Sequence, residues 1–68
     1  MTKKEIIRNA IYAAYRDGYD QVIYTDNGEY AFSRDYPLNN MYNPENVIGH
    51  IVTGWENCGI FYAKFVSY

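Results

Sequence analysis

The sequence predicts an α+β fold: one N-terminal helix packed on a four-stranded, mainly antiparallel sheet, in the order α-β-β-loop-β-β. Three observations carry that prediction. Positions 3 to 17 show a helical period with start and stop residues. Asn27-Gly28 sits between two β-favouring runs, and the last third holds two more such runs, 47–55 and 60–68, around a turn. An isolated hairpin is marginal in water, so two hairpins sharing one apolar face with the helix is the arrangement that buries most.

Thr2 can cap the helix, Glu5 three residues on completes a capping box, and Gly18 supplies the stop. At 100° per residue, Ile6, Ile7, Ala10, Ile11 and Ala14 form one apolar stripe whose alanines permit close approach to a sheet. The next two runs, 21–25 and 30–34, flank Asp26-Asn27-Gly28-Glu29. Asn-Gly tolerates the two positive φ angles of a type I′ turn. That loop sets Thr25 against Tyr30 and Ile23 against Phe32, although Asp26 then opposes Glu29, a mild like-charge conflict that leaves a longer loop open.

Residues 35–45 read as a loop rich in turn dipeptides, Tyr36-Pro37, Asn39-Asn40 and Asn43-Pro44. For 44–48 two readings stand: the start of the following strand, or a short helix capped by Asn43 with Pro44 in its first position. In the final hairpin, pairing Glu56 with Gly59 puts Val52, Phe61, Ala63 and Phe65 on one face. Ile51, Thr53, Trp55, Ile60, Tyr62 and Lys64 then share the other, and His50 stands opposite Phe65.

Composition narrows the function. A chain of 68 residues has room for one small domain, 1–68, with a modest core. Nine tyrosines, three phenylalanines and one tryptophan exceed what that core can enclose, so several tyrosines must lie at the surface, where they favour protein interfaces. One cysteine excludes an intramolecular disulfide and fits a reducing cytoplasm. No apolar run approaches the roughly 20 residues that cross a bilayer, and Met1-Thr2-Lys3-Lys4 leads into a patterned helix, so a soluble, unprocessed protein without membrane contact is expected.

The candidate chemistry points away from an enzyme. Cys58 falls in a turn, and His50 stands along a strand from it, beyond the roughly 3 Å reach of a general base. One Cys and one His cannot fill a zinc sphere, the acidic residues lack calcium-loop spacing, and no glycine pattern cradles phosphate, so neither metal nor cofactor is expected. His50 reads as a strand residue with a satisfied imidazole.

One constellation carries functional content. Lys4, Arg8, Tyr12, Tyr15 and Arg16 interleave rings and cations on the outward side of the helix, and arginine and tyrosine dominate binding hot spots. The bland alternative is that these rings only cover neighbouring apolar surface. Together with Tyr36 and Tyr42 of the loop, these are the expected contacts of a non-enzymatic module that occludes a larger protein.

In general character, small, tyrosine-rich and without catalytic groups, the chain resembles the host-directed inhibitors and regulators encoded by bacteriophages. The resemblance rests on no motif and carries over no site residue; it would place the protein in the host cytoplasm. The alternative is a nucleic-acid binder, with Lys3, Lys4, Arg8 and Arg16 on phosphates and Tyr12 or Tyr15 stacking on bases, weakened by a net charge of −2. An unpaired strand edge also provides for a homodimer.

Overall fold

The computed structural model describes residues 1–35 and 43–67. They form helix α1 (Lys3–Asp17), strands β1 (Gln21–Asp26) and β2 (Glu29–Arg34), a 3-10 turn (Pro44–Asn46), and strands β3 (Val47–Trp55) and β4 (Phe61–Ser67). The strands make one antiparallel sheet in the order β2-β1-β3-β4, so the two hairpins join through β1 and β3 and the helix crosses one face. This is the predicted α+β arrangement.

The helix ends where its sequence says it should. Thr2 Oγ1 accepts from the Glu5 N–H and Glu5 Oε1 accepts from the Thr2 N–H, each at 3.2 Å, closing the capping box. At the other end Gly18 takes φ 77° and donates its N–H to Ala14 O at 2.8 Å, a left-handed stop. Ile6, Ala10, Ala13 and Ala14 are buried, and Ile6, Ala10 and Ala14 meet Ile23 and Ile51 of the sheet in the core. Ile7 and Ile11 pack at its margin, so the predicted stripe is the packed one, widened by Ala13.

Strand β1 is the most enclosed part of the sheet. Gln21, Val22, Ile23 and Tyr24 are all buried, although alternation sends Ile23 to the helix side and its two neighbours to the other. The buried Gln21 amide is satisfied by donating to Tyr19 O at 3.2 Å.

The first hairpin has the predicted register: Ile23 opposes Phe32, Thr25 opposes Tyr30 and Asp26 opposes Glu29. Asn27 and Gly28 carry the loop with φ 51° and 81°, both positive as a type I′ turn requires. The Asp26–Glu29 conflict is tolerated because both carboxylates are exposed, where water screens them.

The second hairpin departs from expectation by one residue. Trp55 opposes Phe61, Ile51 opposes Phe65, and His50 opposes Val66. The cause is the loop. Glu56 pairs with Ile60 through its N–H to Ile60 O at 2.9 Å, and Gly59 donates to Glu56 O at 2.8 Å with φ 83°. This leaves a three-residue loop, Asn57-Cys58-Gly59, closed by a left-handed glycine.

A one-residue slip exchanges the faces. Ile51 and Thr53, expected across the sheet from Phe61, Ala63 and Phe65, share their face toward the helix, whereas Val52 goes to the other side. Trp55 also changes place, and lies with Phe61 on the helix side.

Two local features adapt β3 to its neighbours. Its register against β1 shifts between Ile23, opposite Gly49, and Tyr24, opposite Val47, leaving Ile48 as an extra residue. The bulge lets Ile48 pack on the helix-side core, a side that strict alternation with His50 and Val52 would deny it. Gly49 is required by close approach: a β-carbon there would strike the Phe65 ring and come within 2.7 Å of Val66 O. The 44–48 segment combines both sequence readings, with Asn43 Oδ1 capping the turn at 3.0 Å from Glu45 N, Pro44 at its start, and the strand beginning at Val47.

Candidate docking surface

The outward side of α1 is built by the same capping signals that set its inward side. Because the helix runs unbroken from Lys3 to Asp17, Lys4, Arg8, Tyr12 and Arg16 fall at four-residue intervals, with Tyr15 beside the last pair. All five are exposed, Tyr12 to 76%. The structure thus brings together the five helix residues singled out in the sequence; Tyr36 and Tyr42 lie outside the described residues.

It also adds two rings that the sequence reading left out. Phe61, at the start of β4, meets Tyr15 edge-on with ring centroids 5.6 Å apart and planes at 73°. Trp55, at the end of β3, meets the same Phe61 at 5.1 Å and 69°. Such crossed pairs stabilise by about 0.5–1.5 kcal/mol beyond the area they bury. Trp55 nevertheless stays 71% exposed, and Ile60 next to Phe61 is exposed too. The signal that could have found Trp55 is Gly59: reading it as a left-handed loop closure pairs Trp55 with Phe61.

Between the helix end and the second hairpin lies an open depression of about 420 Å³, lined by Tyr15, Arg16, Asp17, Gly18, Trp55 and Phe61. Its floor is aromatic and its rim is charged. The Arg16 guanidinium forks onto Asp17, Nε to Oδ1 at 3.1 Å and Nη2 to Oδ2 at 3.3 Å, and Arg34 Nη2 stands 3.8 Å from the same carboxylate. The hydrogen bond from Arg16 holds the Asp17 carboxyl below its ordinary value and raises Arg16 above its own. Arg34 also lies over the Tyr19 ring, 4.5 Å from its centroid.

Behind this rim, Asp20 ties the α1–β1 connection to β3: its Oδ1 accepts from the Thr53 N–H at 3.0 Å and from the Thr53 hydroxyl. The tie fixes β3 two residues from Trp55. A second, more polar hollow of about 270 Å³ lies here, among Gly18, Tyr19, Asp20, Arg34, Asp35 and Thr53.

His50 behaves as a satisfied strand residue, with Nδ1 2.7 Å from Asp35 Oδ2. Cys58 is exposed in the loop beyond β3. Among the described residues no group of three or more His, Cys, Asp or Glu side chains could hold a metal ion, and no helix is long and apolar enough to cross a membrane.

Comparison with known protein families, curated proteins and solved structures returns no match for this chain.

Proposed function

We propose that this chain is a non-enzymatic protein-binding module whose contact surface is the outward side of α1 together with the Tyr15–Phe61–Trp55 cluster. The observation that carries the reading is the continuity of that surface. Exposed rings from the helix and from the second hairpin adjoin one another, and cations lie along the helix beside them. Rigid aromatic groups held by helix and sheet lose little conformational freedom on association, which is what a binding hot spot needs.

A domain of this size that seats its largest exposed rings on a bigger protein works by covering what lies beneath. It would therefore act as an inhibitor or regulator by occlusion, as the host-directed proteins of bacteriophages do. Tyr36 and Tyr42 belong to the same proposal as contacts from the loop. Self-association through an outer strand, β2 or β4, is a further part of it, and sedimentation at two concentrations that returned only monomer mass would remove it.

The test is affinity capture from lysate of the source cell, comparing the native chain with a Tyr12→Ala, Arg16→Ala double variant. The proposal expects a partner held by the native chain and lost by the variant. Equal capture of the same partner by both would eliminate the helix face as the contact.

A further inference from the structure

The row Lys4, Arg8, Tyr12, Arg16 advances four residues at a time, so its members follow one another at about 6 Å along the axis and span about 18 Å. Three of the four are cations, and all are exposed. The protein as a whole has a net charge of −2, so this positive stripe is set against an acidic remainder. At its C-terminal end the row meets the aromatic depression walled by Tyr15, Trp55 and Phe61.

We infer that the occupant of this surface is an acidic helical segment of a partner protein, with carboxylates at four-residue intervals and one bulky apolar side chain that enters the depression. The inference deepens the docking reading and rests on it. Charge complementarity selects the acidic residues, and the spacing selects their period: side chains four apart on a second helix repeat at the same ~6 Å as the cations they would face. About twelve residues of such a helix cover the row.

The depression selects the anchor. Its rings cross at 69° and 73° and form a corner, which suits a compact aliphatic or aromatic side chain better than the parallel stacking a base requires. Acidic groups at both ends of the stripe argue the same way. Glu5 in the first turn of the helix and Asp17 on the rim of the depression repel any anion laid over them, so the partner's carboxylates must fall between these two positions, which discrete side chains can do and an unbroken phosphate backbone cannot. Arg16 and Arg34 balance the Asp17 charge locally, and Lys3, Lys4 and Arg8 together outweigh the neighbouring Glu5, so the N-terminal half of the row keeps a net positive charge for a partner carboxylate.

Trp55 is the single tryptophan, it lines the depression, and it is largely exposed, so its fluorescence reports occupancy directly. The experiment titrates the full chain with synthetic, tryptophan-free helical peptides. One carries Glu at every fourth position and a leucine anchor; others replace Glu by Gln, replace Glu by Lys, or replace the anchor by Ala. A single-stranded oligonucleotide is the remaining arm.

The expected result is a blue shift of Trp55 with the Glu peptide, weakened by added salt and lost with the Lys and anchor-free peptides. A Lys4→Glu, Arg8→Glu variant, altered at exposed positions outside the depression, should bind the Glu peptide about tenfold more weakly and recover binding to the Lys peptide. Equal binding of the Gln and Glu peptides, silence from every peptide, or a shift with the oligonucleotide alone overturns the inference. Should lysate capture depend on Tyr12 and Arg16 while the Glu peptide stays silent, the docking reading stands and the acidic helix falls.

Discussion

The two sides of α1 invert the usual allocation of bulk. Its most buried positions are mainly alanine, with Ala10 and Ala14 fully buried beside Ile6, while its outward side carries Tyr12, Tyr15 and long cations. Small residues inside let the helix settle close onto Ile23 and Ile51, which supply the core volume from the sheet. Rings outside contribute little to that packing. On the proposed reading, stability and recognition are divided between opposite sides of one helix and should respond separately to substitution.

The largest effect belongs to the inward side. Ile23→Ala removes a fully buried side chain under the helix and should cost about 2–5 kcal/mol in urea unfolding; loss below about 1 kcal/mol would mean the core is not centred there. Next comes the close approach in β3. Gly49→Ala should cost about 1–3 kcal/mol, because the added methyl meets the Phe65 ring and the backbone oxygen of Val66. At Gly54 the same change meets only the outer end of the Tyr62 ring, which can swing aside, so Gly54→Ala should cost clearly less; equal losses would break the distinction.

The capping box gives a smaller effect with a pH signature. Thr2→Ala should destabilise by about 1 kcal/mol. The backbone N–H of Thr2 first, and the hydrogen bond from its side chain second, hold the Glu5 carboxyl below its ordinary value of 4.5. A depressed folded-state value means that this contribution is present above 4.5 and is lost as pH falls through the lower, folded value. Because the backbone N–H survives in Thr2→Ala, the pH signature is read from Glu5→Ala: circular dichroism should show the gap between native chain and Glu5→Ala narrowing in acid, and a gap that widened would contradict the assignment.

The smallest stability effect belongs to the outward side. Tyr12→Ala should unfold within about 0.5 kcal/mol of the native chain, whereas Tyr15→Ala, which forfeits an edge contact with Phe61, should lose up to about 1.5 kcal/mol. A large loss at Tyr12 would show that its ring supports the fold and would remove the division between the two sides.

What was legible in the sequence was what local chemistry decides. Thr2, Glu5 and Gly18 bound the helix without help from the rest of the chain, and its outward row follows from spacing alone. Asn27-Gly28 points to the two-residue loop of the first hairpin because both positions tolerate positive φ, and the Asp26–Glu29 conflict that left a longer loop open is screened at the surface. The second hairpin was legible as a pair of strands and not in register, since Glu56 to Gly59 also reads as a tight turn and only the left-handed Gly59 adds the extra residue. That single residue hid Trp55 from the site by sending it to the wrong face. The Ile48 bulge was hidden for another reason: it depends on which strand lies beside β1, and no local pattern encodes that order.

If the exposed rings of α1 and the second hairpin are contact surface, as proposed, a partner must cover them. Hydroxyl-radical footprinting of the chain, free and bound to its captured partner, tests it at each ring. Tyr12, Tyr15 and Trp55 should lose reactivity together on binding while Tyr24, already buried, is unchanged. Undiminished labelling of Tyr12 and Trp55 in the complex, with protection elsewhere, would contradict it.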